Sequence, residues 1–236
     1  MTRAVLFDLD DTLFDHRESA AEALRRVQAT HEGFRRVPFE EFERLHSALL
    51  EELHPEVLNA RLEMDEARRV RFRRLFERCG IAASDDLCAA TALKYRSDYM
   101  DARRAVAGAR SLVAAIRGRA KVGIVSNNML QEQRDKLEFC GLSAHVDALI
   151  VSEEAGVAKP DPAIFRMALQ ALGVGADETV MLGDSWVADV VGARAAGIRA
   201  VWFNPSRSRS PEPGLGVHEL HALEPVEAAI SCLLAP

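Results

Sequence analysis

The stretch "LFDLDDTLF" puts Asp8, Asp10 and Asp11 within four positions, directly after an apolar run. Carboxylates so placed can cap a turn, hold a cation, attack an electrophile or move a proton. A calcium loop beginning at Asp8 is disfavoured, because Leu13 takes the sixth position, where such loops need glycine. Further polar residues also follow apolar runs. Ser126 and Asn127 close "KVGIVS" and open the next loop, and Asp184 closes "TVMLGD". Lys159 precedes Pro160 in the loop after "ALIVS". Each has an ordinary reading alone: a turn aspartate, a helix N-cap, a plain loop lysine. Their joint occurrence at strand ends is harder to dismiss, because open α/β sheets bind ligands at the carboxyl ends of their strands.

The runs "RAVLFD", "KVGIVS", "ALIVS", "TVMLGD" and "RAVWF" are short, rich in Val and Ile, and show no polar alternation. That pattern predicts strands covered on both faces. Between the last four lie helical patterns, "MLQEQRDKLEFCG", "DPAIFRMALQALG" and "SWVADVVGARAAG", each ending on a glycine suited to a helix C-terminus. The alternation predicts an α/β fold with a doubly wound parallel sheet. Residues 15–105 differ: they carry amphipathic stretches and no convincing strand, and predict an all-helical insertion after the first strand. The expected division is therefore a core of residues 1–14 and 106–236 and a helical domain of residues 15–105. The arginine-rich "EARRVRFRRLFERCG" reads as a solvated helix with an apolar seam of Val70, Leu75 and Phe76. Residues 204–216 read as a loop and "EPVEAAISCLLA" as a closing helix.

The 236 residues are 48% hydrophobic with net charge −6, enough for a sizeable core. Mild acidity argues against a nucleic-acid polymer or an anionic membrane as partner. No apolar run approaches the roughly 20 residues of a membrane span. "MTRAVLFDLDD" meets acid too early for a secretory signal. The four cysteines form no CxxC pair, which fits a reduced, cytoplasmic protein. Only four of the 30 basic residues are lysine, so Lys159 stands out.

"DLDDT", "SNN", "KPDPAIF" and "LGDSWVAD", in that order, resemble the four motifs of the haloacid dehalogenase superfamily, with the helical insertion in the place of its cap domain. The resemblance implies a Mg²⁺-dependent phosphomonoester hydrolase acting on a small phosphorylated metabolite. It implies Asp8 as nucleophile and Asp10 as acid and base. Ser126 and Lys159 would address the phosphoryl group. Leu9, Thr12 and Asn127 would help form its binding loop. Mg²⁺ would be held by Asp8, Asp184 and the carbonyl of Asp10, with Asp189 behind them orienting metal-bound water. Ala188 departs from the pattern, since many relatives carry a polar residue there. Asp10 disfavours a dehalogenase, whose members lack that second aspartate. A sugar-phosphate mutase and a silent binding relative stay open, and the fourth-motif region resembles nucleotidase-like and acylneuraminate-phosphatase-like members.

Overall fold

A computed structural model describes residues 1–59 and 61–235. The chain divides into two compact units, Met1–Asp15 with Arg104–Pro236, and His16–Arg103.

The first unit is built on a parallel sheet. Its strands are β1 (Ala4–Phe7), β2 (Lys121–Ser126), β3 (Ala148–Val151), β4 (Thr179–Gly183), β5 (Arg199–Phe203) and β6 (His218–Leu220), in the order β3-β2-β1-β4-β5-β6. Register runs Ala4↔Lys121 on one side of β1 and Ala4↔Thr179 on the other. All four residues of β1 are fully buried, as an uninterrupted apolar strand between two neighbours must be. β6 has no apolar signature; "HEL" is an exposed edge strand, and the pattern of strand residues could not reveal it.

The helices between strands include α6 (Ala109–Arg117), α7 (Leu130–Phe139), the short α8 (Ser152–Ala155) and α9 (Pro162–Leu172). α9 shows how sequence sets the layer. Asp161 caps it by accepting from the Ala163 amide at 2.8 Å, Pro162 occupies its first turn, and Gly173 ends it at φ 63°. Its buried face, Ile164, Phe165, Ala168, Leu169 and Leu172, packs with Leu6, Val125 and Met181. Burying Phe165 alone is worth about 3 kcal/mol. The stretch "SWVADVVGARAAG" departs from the expected α-helix. It forms a π-helical turn, Trp186–Val191, followed by the short α10 (Gly192–Ala195). The closing helix is α11 (Val226–Leu234).

The second unit is helical: α1 (His16–Thr30), α2 (Glu32–Arg35), α3 (Phe39–Leu58), α4 (Met64–Arg78) and α5 (Asp85–Ala102). Phe34 stacks on Phe76 at 4.3 Å and meets Phe42 at 4.8 Å. The seam of α4 buries Val70, Leu75 and Phe76 as read, but its arginine face is not wholly solvated, because Arg71 is buried with them. Among the described residues no helix is long and apolar enough to cross a membrane, and Cys79, Cys88, Cys140 and Cys232 form no disulfide.

Candidate active site

The chain leaves β1 toward β2 on one side and reaches β4 on the other, so strand order reverses between β1 and β4. Crevices form at such a point, outside the strands' carboxyl ends. Asp8 and Asp184 lie there. The Asp8 amide donates to the Leu182 carbonyl at 2.9 Å, which continues the β1–β4 ladder by one residue. The chain then turns sharply. The Leu9 carbonyl accepts from the amides of Leu13 and Phe14, both at 2.9 Å, and Asp11 takes the left-handed conformation (φ 61°), which a short polar side chain tolerates. Thr12, fully buried, accepts from the Asp184 amide at 3.1 Å and so ties this turn to the end of β4. The Trp202 indole donates to the Asp184 carbonyl at 2.7 Å from β5.

Lys159 reaches the same place from the loop before α9. Its Nζ donates to Asp8 Oδ1 and to Asp189 Oδ1, each at 2.6 Å. Asp189 accepts from the Ser185 amide with its other oxygen at 3.0 Å, a contact the wide π-turn permits. Asp8, Asp184 and Asp189 thus present carboxylate oxygens within 4.8 Å of one another. Burial pushes the Asp8 carboxyl well above its ordinary range; Lys159 pulls it down, and the charges of Asp189 and Asp184 push it further up. Burial disfavours the charge on Lys159, but Asp189 and Asp8 outweigh it and hold the ammonium above the ordinary lysine range. One ammonium among three crowded carboxylates leaves the centre in want of another cation.

Asn127 lies beside the site, but its side chain addresses Lys159. Nδ2 donates to the Lys159 carbonyl at 2.8 Å and Oδ1 accepts from the Lys159 amide at 2.7 Å. This bidentate clamp fixes the backbone that carries the ammonium.

The Asp10 carboxylate meets residues that the motifs did not reveal. Lys136 Nζ donates to Oδ1 at 2.5 Å; Gln133 Nε2 and Asn128 Nδ2 donate to Oδ2 at 2.9 and 3.1 Å. Gln133 also donates to Ser126 Oγ at 2.7 Å, linking two strand ends through one amide. Gln133 and Lys136 stand three apart on α7, hence on one face. That spacing, directly after "SNN", was the available signal, along with the scarcity of lysine.

Close packing behind the site makes one substitution informative. A Cβ on Gly183 would fall 2.3 Å from Cγ and Oδ2 of Asp189, whereas one on Gly214 would meet nothing within 4 Å. Gly183→Ala is therefore expected to displace Asp189 and, with it, Lys159. A shift of about 1 Å in such a group costs on the order of 100-fold in turnover. Gly214→Ala is the matched control. Equal kcat for both variants, measured with an aryl phosphate, would show that Asp189 does not set the Lys159 position.

A family model described as haloacid dehalogenase-like hydrolase matches residues 2–197. The chain is 31% identical to a ribulose-1,5-bisphosphate 5-phosphatase from Halopiger xanaduensis, over 87% of this chain and 86% of that one. It is 41% identical to a pyrimidine 5'-nucleotidase from Escherichia coli over 50% of this chain and 54% of the relative. Some curated relatives are thus matched over only about half their length. Among solved structures, the magnesium-bound HAD-hydrolase YfnB of Bacillus subtilis superposes with a TM-score of 0.75 at 25% identity, covering 98% of this chain and 99% of that one.

Proposed function

Because the chain belongs to the haloacid dehalogenase-like hydrolase family, we propose that it hydrolyses a small phosphomonoester through a phosphorylated Asp8. The observation that carries this reading is the pairing of Asp8 with Lys159 at 2.6 Å at the reversal point of the sheet, with Asp10 two residues on. Relatives named as phosphatases and nucleotidases support the reaction type.

The reaction runs in two halves. An Asp8 oxygen attacks phosphorus and the P–O bond to the alcohol breaks, while Asp10 delivers a proton to the departing oxygen. Asp10 then takes a proton from water, which attacks phosphorus; the Asp8–P bond breaks and inorganic phosphate leaves. Lys159 sets a fixed positive charge against Asp8 and the phosphoryl oxygens, and Ser126 donates to them.

The crowded, oxygen-only donor set fits Mg²⁺, which Asp8, Asp184 and the Asp10 carbonyl would hold, with Asp189 behind them. When bound, that cation offsets the repulsion between a phosphate dianion and the carboxylates. Residues 15–105 take the part of the family's cap and carry leaving-group selection in this reading. Four thiols that form no disulfide among the described residues suit a reducing cytoplasm.

Asp10→Asn provides the test. Loss of the acid and base is expected to lower steady turnover by about 10²–10⁴-fold. p-Nitrophenol leaves readily without a proton, so this variant should give one rapid burst of nitrophenol per active site and then nearly stop, trapped as phospho-Asp8. The wild type should release one inorganic phosphate per nitrophenol. Steady turnover of the variant at the wild-type rate would overturn the reading, as would isomerised substrate with little free phosphate.

A further inference from the structure

Most charged residues of α4 find partners. Arg68 pairs with Asp65 at 2.6 Å, Arg69 with Glu66, Arg74 with Glu52, and Arg78 with Glu52 at 3.1 Å. Arg71 differs. It is only 7% exposed, its Nε has no hydrogen-bond partner, and among the described residues no carboxylate pairs with it. Asp98, the buried acid of α5, is committed to Lys94 at 2.8 and 3.1 Å. Across from Arg71, on α3, His46 is 2% exposed and its Nε2 is likewise without a partner.

These two groups belong to one cluster. The Arg71 guanidinium lies 5.5 Å over the ring of Tyr95, and the His46 ring lies 4.9 Å from that same ring and 5.7 Å from Phe72. Burial and the Arg71 charge both depress protonation of His46, so the imidazole stays neutral. A buried cation is retained at considerable cost unless an anion compensates it, and an orphaned buried N–H is a rare feature of a folded protein. The guanidinium lies over one aromatic face and is largely shielded from water, which strengthens any charge-assisted hydrogen bond made there.

We propose that Arg71 and His46 form an anion site within the helical unit, taking a carboxylate or phosphate group. A guanidinium edge, Nε with one Nη, matches two oxygens of such a group in a bidentate fork, and His46 Nε2–H can donate to an oxygen as well. The anion is a free carboxylate or phosphate ion, so the site does not rest on the phosphatase reading.

Melting of wild type and Arg71→Met tests the site. Malonate or inorganic phosphate, titrated at constant ionic strength against chloride, is expected to raise the wild-type melting temperature by several degrees more than that of Arg71→Met. Any phosphate held at Asp8 is common to both proteins and drops out of the difference. In chloride alone, Arg71→Met should melt no lower than wild type, since it removes an uncompensated buried charge. No melting difference would overturn the site and leave Arg71 a structural cation. If Arg71→Met does not fold, Arg71→Lys keeps the charge but lacks the fork, and should lose most of the anion response; a full response in it would overturn the bidentate site. The melting experiment needs no activity, so it stands apart from any failure of Asp8 chemistry.

Discussion

Asp8→Asn is expected to remain folded and to lose turnover on the order of 10⁴-fold or more. The amide has nearly the shape of the carboxylate but is a poor nucleophile, and it can still accept from Lys159 with its oxygen. Lys159 also keeps Asp189, at 2.6 Å, so the ammonium is not stranded. Stability should move the other way. The Asp8 carboxyl is raised in the folded protein by burial and then by the neighbouring acids. A group raised on folding contributes stability below its unfolded value and loses it as pH rises through its folded value. In chelator, wild type should therefore lose stability relative to Asp8→Asn as pH rises through that raised value. Activity and melting curves on one preparation check both signs. Near wild-type turnover in Asp8→Asn, its sequence confirmed by mass, would end the nucleophile assignment.

Much of this site could be read from the sequence because it sits where strand meets loop. β1, β2 and β4 are uninterrupted apolar runs, so Asp8, Ser126 and Asp184 mark their ends without ambiguity. Lys159 was visible for a different reason, as one of very few lysines and next to a proline. What escaped notice lies on helices. Gln133 and Lys136 look like the polar face of an amphipathic helix, and only tertiary packing turns that face toward Asp10. Arg71 was hidden in the same way, among arginines whose neighbours in sequence are acids. A helical period tells which residues share a face but not what the face meets. The π-turn at Trp186–Val191 has no period of its own; it lets Asp189 serve both Ser185 and Lys159. The Asn127 side chain also grips the Lys159 backbone, a tertiary contact that no sequence spacing announces, since a loop carrying a buried ammonium needs its own amide and carbonyl satisfied.

Removal of divalent cations is expected to abolish turnover, by at least about 10³-fold, with recovery on adding Mg²⁺. Carboxylate oxygens of Asp8, Asp184 and Asp189 within 4.8 Å of one another repel strongly in a buried setting, and Lys159 compensates only part of that charge. A small hard cation with oxygen ligands relieves the remainder, so Mg²⁺ should also raise the melting temperature. Ca²⁺ is larger and less exacting in geometry, and should restore melting temperature better than turnover. Proton and cation compete for Asp8. Since burial raises that carboxyl above the ordinary range, the Mg²⁺ concentration needed for half-maximal activity should begin to climb at a higher pH than for ordinary carboxylates. Asp184→Asn, which removes a proposed ligand without touching the proposed nucleophile, should raise that concentration further and leave the aryl phosphate reaction recoverable at high Mg²⁺. Full turnover after exhaustive chelation would contradict a cation-dependent site, and a half-maximal concentration independent of pH would mean that the cation does not bind at Asp8.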